Sequence, residues 1–235
     1  MTYVPPTLTA GAILRPGFAA DPRVVAGFTM RTFSPAGESL DAARNRLTTV
    51  TGMAVASVGQ VHGADVAVVQ EPGHVPEHDG LVTDRPGLAL SVVAADCAVV
   101  LLADAEAGVV GACHSGWRGT VAGIVGETVW AMRELGAEPG RTQAYLAPCI
   151  STAAFEVGEE VASQFDPAVV MRRPEWPRPH VDLRSDLVRQ LSEAGVGRTE
   201  VAPGCTVSDG RFYSYRGEAG TTGRMLGFVG LRAVD

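Results

Sequence analysis

The feature that most constrains this chain of 235 residues is the block from Leu88 to Ala112. Three apolar runs, Leu88–Ala94, Ala98–Ala103 and Gly108–Ala112, follow one another with only Ala95-Asp96-Cys97 and a few residues around Asp104 between them. Each run has the length of a strand rather than a helix, and each is apolar at neighbouring positions instead of alternate ones. Such strands have no solvent face, so helices or a second sheet must cover both sides. Asp96, Asp104 and Glu106 interrupt the block before it could span a membrane.

Further strand-like runs lie at Val55–Val58, Val66–Gln70, Thr142–Ala147 and Met225–Leu231. From Thr120, apolar residues at Val121, Ile124, Val125, Val129, Met132 and Leu135 keep a helical period, which predicts one helix stopped by Gly136. Two more helices are expected at Glu156–Phe165 and Leu183–Ala194, the second capped by Asp182 and closed by Gly195. The proline-rich stretch Met171–His180 reads as a surface loop. With no repeat and no long linker, the expectation is a single α/β (α+β) domain over residues 1–235.

Charge and cysteine usage narrow the function. The chain has 19 basic and 26 acidic side chains, a formal charge of −7, which argues against nucleic-acid binding but leaves room for a small anion near local arginines. Four cysteines without a close pair do not form a disulfide framework. Together with the absence of a secretory pattern in the first twenty residues, this points to the cytoplasm.

His62 in Gln60-Val61-His62-Gly63, Cys97 in Ala95-Asp96-Cys97, and His114 in Cys113-His114-Ser115-Gly116-Trp117-Arg118-Gly119 stand at separate strand ends. Two imidazoles and a thiolate suit a zinc ion with an open fourth position, the catalytic rather than structural arrangement. Their spacing matches no short metal finger, so they would have to converge through the fold. On spacing alone, hydrogen-bonded histidines and a core cysteine stand beside the metal reading. Cys113, one residue before His114 on a strand, should point the other way into the core. Asp96 either orients a histidine or contacts ribose. His74, His78 and His180 read as solvated surface residues. The small residues after His114 leave backbone N–H groups at a helix start free to face phosphate, aided by Arg118; the alternative is a tight turn with Arg118 paired to a carboxylate.

The motifs above, with Asp79-Gly80-Leu81-Val82-Thr83, Ala147-Pro148-Cys149-Ile150, Phe155-Glu156-Val157-Gly158, Cys205-Thr206 and Phe212-Tyr213-Ser214-Tyr215-Arg216, resemble the laccase-domain (YfiH-type) family of purine nucleoside phosphorylases from about Gly27 onward. The resemblance implies a layered sandwich of mixed sheets flanked by helices, related to the fold of cytotoxic-necrotizing-factor-type toxins. It also implies zinc-dependent phosphorolysis of adenosine, inosine, guanosine and methylthioadenosine, with accessory adenosine deamination. His62, Cys97 and His114 carry over as the zinc and active-site trio. Arg46, in Asn45-Arg46-Leu47, matches a family Asn-Arg pair near the substrate. Arg31, Arg118, Arg216 and Arg224 are the other candidates for phosphate. Expected partners are therefore purine nucleosides and phosphate, with no nucleic acid and no membrane, for a monomer or weak homo-oligomer.

Three other readings use the same atoms. Cys97 activated by His114 or His62 would suit a cysteine amidohydrolase that edits peptidoglycan precursors. Copper could bind the trio in vitro, but five histidines and no His-x-His pair argue against laccase-like polyphenol oxidation. A non-enzymatic zinc-containing interaction domain would call for four ligands rather than three. Ala98-Val99, the Cys113–Ser115 segment, Ser151, and a shortened Thr32–Ala43 depart from the family pattern, the last in the region expected to shape the nucleoside pocket.

Overall fold

A computed structural model describes residues 12–233. Two mixed sheets of six strands face each other. In the first, the order is β1 (Ile13–Leu14), β2 (Val24–Thr29), β14 (Met225–Leu231), β7 (Leu88–Ala94), β3 (Ala54–Val58) and β5 (Gly73–Val75). In the second it is β13 (Arg198–Val201), β10 (Gln143–Leu146), β8 (Ala98–Asp104), β9 (Val109–Ser115), β6 (Gly80–Thr83) and β4 (Val66–Val68). β11 (Val170–Met171) and β12 (His180–Val181) form a small ribbon.

The continuous apolar runs are explained by what covers them. Along β8, Val99 and Leu101 join Phe28, Leu90, Val92 and Val110 in the core between the sheets. The alternate residues Ala98, Val100 and Leu102 pack instead with Ile124 and Met132 of α3 (Ile124–Glu134) and with Leu183 and Leu187 of α5 (Leu183–Glu193). On the far side of the first sheet, Val25, Ala89 and Phe228 meet Ala43 and Leu47 of α1 (Leu40–Thr51). The result is a helix–sheet–sheet–helix sandwich, the mixed α/β architecture expected.

Strand direction places the functional end. β3 is parallel to both β5 and β7; β4 is parallel to β6, while β6 and β8 are both antiparallel to β9. The chain therefore crosses from the first sheet to the second three times at the same end of the sandwich, from β3 to β4, from β5 to β6 and from β7 to β8. His62, Asp79 and Cys97 lie in those crossings, and β9 returns to the same end with His114. At the opposite end, Gln70 Nε2 donates to Asp84 Oδ1 (2.7 Å) and Arg85 pairs with Glu71 (3.0 Å), joining two return loops.

Two helix expectations need correction. The helix expected from Thr120 is two, α2 (Trp117–Val121) and α3, because Gly123 takes a left-handed backbone (φ +81) between them. The apolar period survives the break, which hides it in the sequence. The helix expected over Glu156–Phe165 shrinks to α4 (Glu159–Ala162): Glu156 is bridged to His180, and Val157 N donates to Pro179 O (2.9 Å). α5 forms where expected, with the Asp182 carboxylate accepting from Ser185 N (3.1 Å) and Gly195 at φ +81. α1, capped by the Ser39 side chain accepting from Ala42 N, was not expected; β1, β2, β5, β6, β13 and the ribbon are also additional, mostly too short for a periodic signal. Among the described residues no helix is long and apolar enough to cross a membrane.

Candidate metal and substrate site

Each member of the trio is fixed by a different device. Beyond the end of β3, the Gln60 side chain continues the ladder: its Oε1 accepts from Val93 N (2.7 Å) and its Nε2 donates to Val93 O (2.8 Å). This launches the loop that holds His62 in a left-handed conformation (φ +64). Val61 N and Gly63 N, on either side of His62, both donate to Asp79 Oδ2 (3.0 and 2.7 Å). Cys97 follows Asp96, itself at φ +91. The Asp96 carboxylate accepts from Thr206 Oγ1 and from Arg216 N, each at 2.6 Å, so Asp96 anchors the loops around the site. His114, paired in register with Val99, is buried, and its Nδ1 lies 2.7 Å from Asp79 Oδ1.

One ligand atom each from His62, Cys97 and His114 lie within 4.8 Å of one another. The two imidazole rings meet edge to face, their centroids 4.8 Å apart. A Cβ on Gly116 would stand 2.8 Å from His62 Cδ2 and 3.1 Å from Cys97 Sγ, so only glycine leaves the three groups together. Two nitrogens and a thiolate this close could hold one metal ion by drawing in slightly, since bonds of about 2.0–2.3 Å at a tetrahedral angle bring ligand atoms to roughly 3.5 Å of one another. Burial disfavours a Cys97 thiolate, yet hydrogen bonds from His114 and His62 win and bring its pKa down to about 6. For His114, burial opposes the charge, while Asp79 and Cys97 raise its pKa to about 9. Cys113 faces the helices, where burial pushes its thiol up to about 12, in keeping with its expected core role.

The trio lies in the wall of a cavity of about 700 Å³. Trp117, Phe155 and Tyr215 give it aromatic surface; Arg44, Arg216 and Arg224 give it positive charge. The Arg44 side chain is mostly buried; its Nη1 donates to Asp41 Oδ1 (3.2 Å), and its buried Nε has no protein partner. Arg216 is held by the carbonyls of Ala154 and Glu156 (3.2 and 3.1 Å), and Arg224 by those of Thr222 and Gly223 (3.2 and 3.0 Å).

Several expected placements change. Arg46 is not in the cavity wall: its guanidinium bonds Glu38 (2.5 and 2.7 Å) and Phe33 O (2.7 Å), and this contact, with Ser34, lowers the Glu38 pKa to about 2. Arg118 is exposed, stacked 4.2 Å from the Trp117 ring centroid and also outside the cavity wall. Arg31 is committed to Glu218 and Phe212 O, both at 2.6 Å. His180 is buried, with Nδ1 2.8 Å from Thr152 O and its ring stacked on Trp176. His74 is exposed but lines the cavity. Sequence reasoning missed Arg44, Asp79 and Gly116 as site residues. Arg44 could have been found from helical spacing, because it shares a face with Leu40 and Leu47, whereas Arg46 lies on another.

The sequence model of the family described as multi-copper polyphenol oxidoreductase laccase matches residues 34–232. A purine nucleoside phosphorylase of Deinococcus radiodurans is 45% identical over 196 residues, covering 80% of this chain and 76% of that protein. The purine nucleoside phosphorylase ORF3 of Streptomyces griseus is 44% identical over 180 residues, covering 74% of this chain and 73% of its own. Among solved structures, YlmD from Geobacillus stearothermophilus superposes with a TM-score of 0.84 at 29% identity, over 95% of this chain and 97% of YlmD. The hypothetical protein YfiH of Bacillus licheniformis gives 0.84 at 26% identity, over 98% of this chain and 100% of its own.

Proposed function

The chain belongs to the multi-copper polyphenol oxidoreductase laccase family, and on that premise we propose that it is a zinc-dependent purine nucleoside phosphorylase with accessory adenosine deaminase activity. The observation that carries this reading is one cavity holding a His–Cys–His trio, three arginines and aromatic walls. Such a volume is within the range of small-molecule sites. The activity named for the Deinococcus and Streptomyces relatives supports it.

Adenosine, inosine, guanosine and methylthioadenosine are the expected nucleosides. A phosphate oxygen attacks C1′ of the ribose, the C1′–N9 bond breaks, and the purine leaves with a proton to give free base and ribose 1-phosphate. Arg44, Arg216 and Arg224 in the cavity wall are the groups to hold the phosphate and offset charge during transfer. Trp117, Phe155 and Tyr215 offer faces for the base. Zinc held by His62, Cys97 and His114 would supply Lewis acidity. Deamination at the same site adds water at C6 of adenosine and expels the amino group as ammonia, giving inosine. Copper chemistry of the multicopper kind has less support, because the described residues bring together a single three-residue group of candidate ligands.

The assay is to incubate metal-analysed protein with adenosine, inosine and guanosine, with and without phosphate, and to follow free base, ribose 1-phosphate and inosine. Phosphate-dependent release of base is expected; its absence with all three nucleosides sinks the proposal. A cysteine hydrolase is a second reading, favoured by the lowered Cys97 pKa of about 6 and its two histidine partners. Iodoacetamide separates them. As a zinc ligand Cys97 is alkylated slowly until the metal is chelated, whereas a free nucleophile reacts fast at any metal content.

A further inference from the structure

Asp79 sits fully buried between two members of the trio, joined to each through a different oxygen. Oδ1 is 2.7 Å from His114 Nδ1, and Oδ2 accepts from Val61 N (3.0 Å) and Gly63 N (2.7 Å), the amides that flank His62. The backbone adds a further tie, since His114 N donates to Asp79 O (2.8 Å). We propose that Asp79 is the positioning residue of the site, one carboxylate that sets the tautomer of His114 and the loop conformation of His62 together.

A carboxylate only accepts hydrogen bonds, so the proton it receives must be carried by His114 Nδ1. That leaves Nε2 with its lone pair for a metal, the arrangement in which an outer carboxylate orients a ligating imidazole. The other oxygen compensates for a backbone that an L-residue adopts at a cost: His62 at φ +64 is held there because both neighbouring amides have a common acceptor. His62 and His114 come from different crossings of the sandwich, so a single side chain makes them one unit. The inference rests on the metal reading of the trio.

Asp79→Asn divides the two tasks. The amide oxygen can still accept from Val61 and Gly63, while the amide NH₂ then faces His114 Nδ1 and donates to it. The His114 proton is forced onto Nε2, and the ligating lone pair is lost. The expected result is a folded variant with zinc affinity reduced about 10–100-fold in competition with a chelator, and ¹⁵N NMR of His114 showing the switch from Nδ1–H to Nε2–H. Zinc affinity within twofold of wild type with an unchanged tautomer overturns the proposal. If the variant does not fold, zinc-free wild type decides: a proton on His114 Nδ1, whether or not Nε2 is also protonated, supports it, and Nε2–H beside a bare Nδ1 overturns it. Wild type that carries Nδ1–H but takes up no zinc supports the positioning role and defeats the zinc reading.

Discussion

At Gly116 the backbone is ordinary (φ −74), so glycine is present for space rather than conformational freedom. Alanine would press its methyl group on His62 and Cys97, and His62, the exposed ligand on a loop, is the one free to yield. Gly116→Ala should therefore keep the metal-free melting temperature within about 3 °C of wild type while losing most bound zinc. Metal analysis beside thermal denaturation checks this, and full zinc retention would contradict the crowded geometry. That His62, Cys97 and His114 belong together was legible through the family motifs around them and not through their spacing, and the structure brings the three side chains to one place. Asp79 was quoted in a motif without a role, since nothing in Asp79-Gly80 says which distant histidine it meets. Arg46 and Arg118 were misplaced for a related reason: a guanidinium can serve phosphate or a neighbouring carboxylate or ring, and only packing chooses.

Between α2 and α3 the chain uses two glycines in opposite ways. Gly123 needs its left-handed backbone, whereas Gly126 lies within α3 with open space at its Cβ position. Gly123→Ala should destabilise the protein by about 1 kcal/mol, and Gly126→Ala should stabilise it by about 0.5–1 kcal/mol by restricting the unfolded chain. Urea titration of both variants reads the sign directly; equal destabilisation would show the break to be enforced by packing rather than by φ. Elements with long apolar runs, β7, β8 and β14, were readable because both faces are buried. Short strands such as β5 and β13 carry too few residues for a period, and the residues leading into α4 are taken by pairing with Pro179 and His180.

Across the molecule, the trio reaches one end of the sandwich through separate connections, so a metal held there would fasten both sheets at once. Denaturation should occur in one cooperative transition, the outcome that a single domain requires. Zinc at about 100 times its Kd should add about 2.7 kcal/mol, measured as a higher unfolding midpoint that Cys97→Ala abolishes. Two separable transitions, or a zinc shift that survives Cys97→Ala, would disprove the respective claims. The covering of β8 on both faces was implied by its apolar run, but convergence of three crossings was not, because strand order depends on pairings far apart in sequence. That convergence divides the protein into a working end and a handling end. The return loops joined by Gln70–Asp84 and Glu71–Arg85 contribute none of these four residues to the cavity wall. A tether, dye or fused domain introduced between Asp84 and Gly87 would leave the opening turned towards solution, so the protein could be fixed to a support there with the cavity still open.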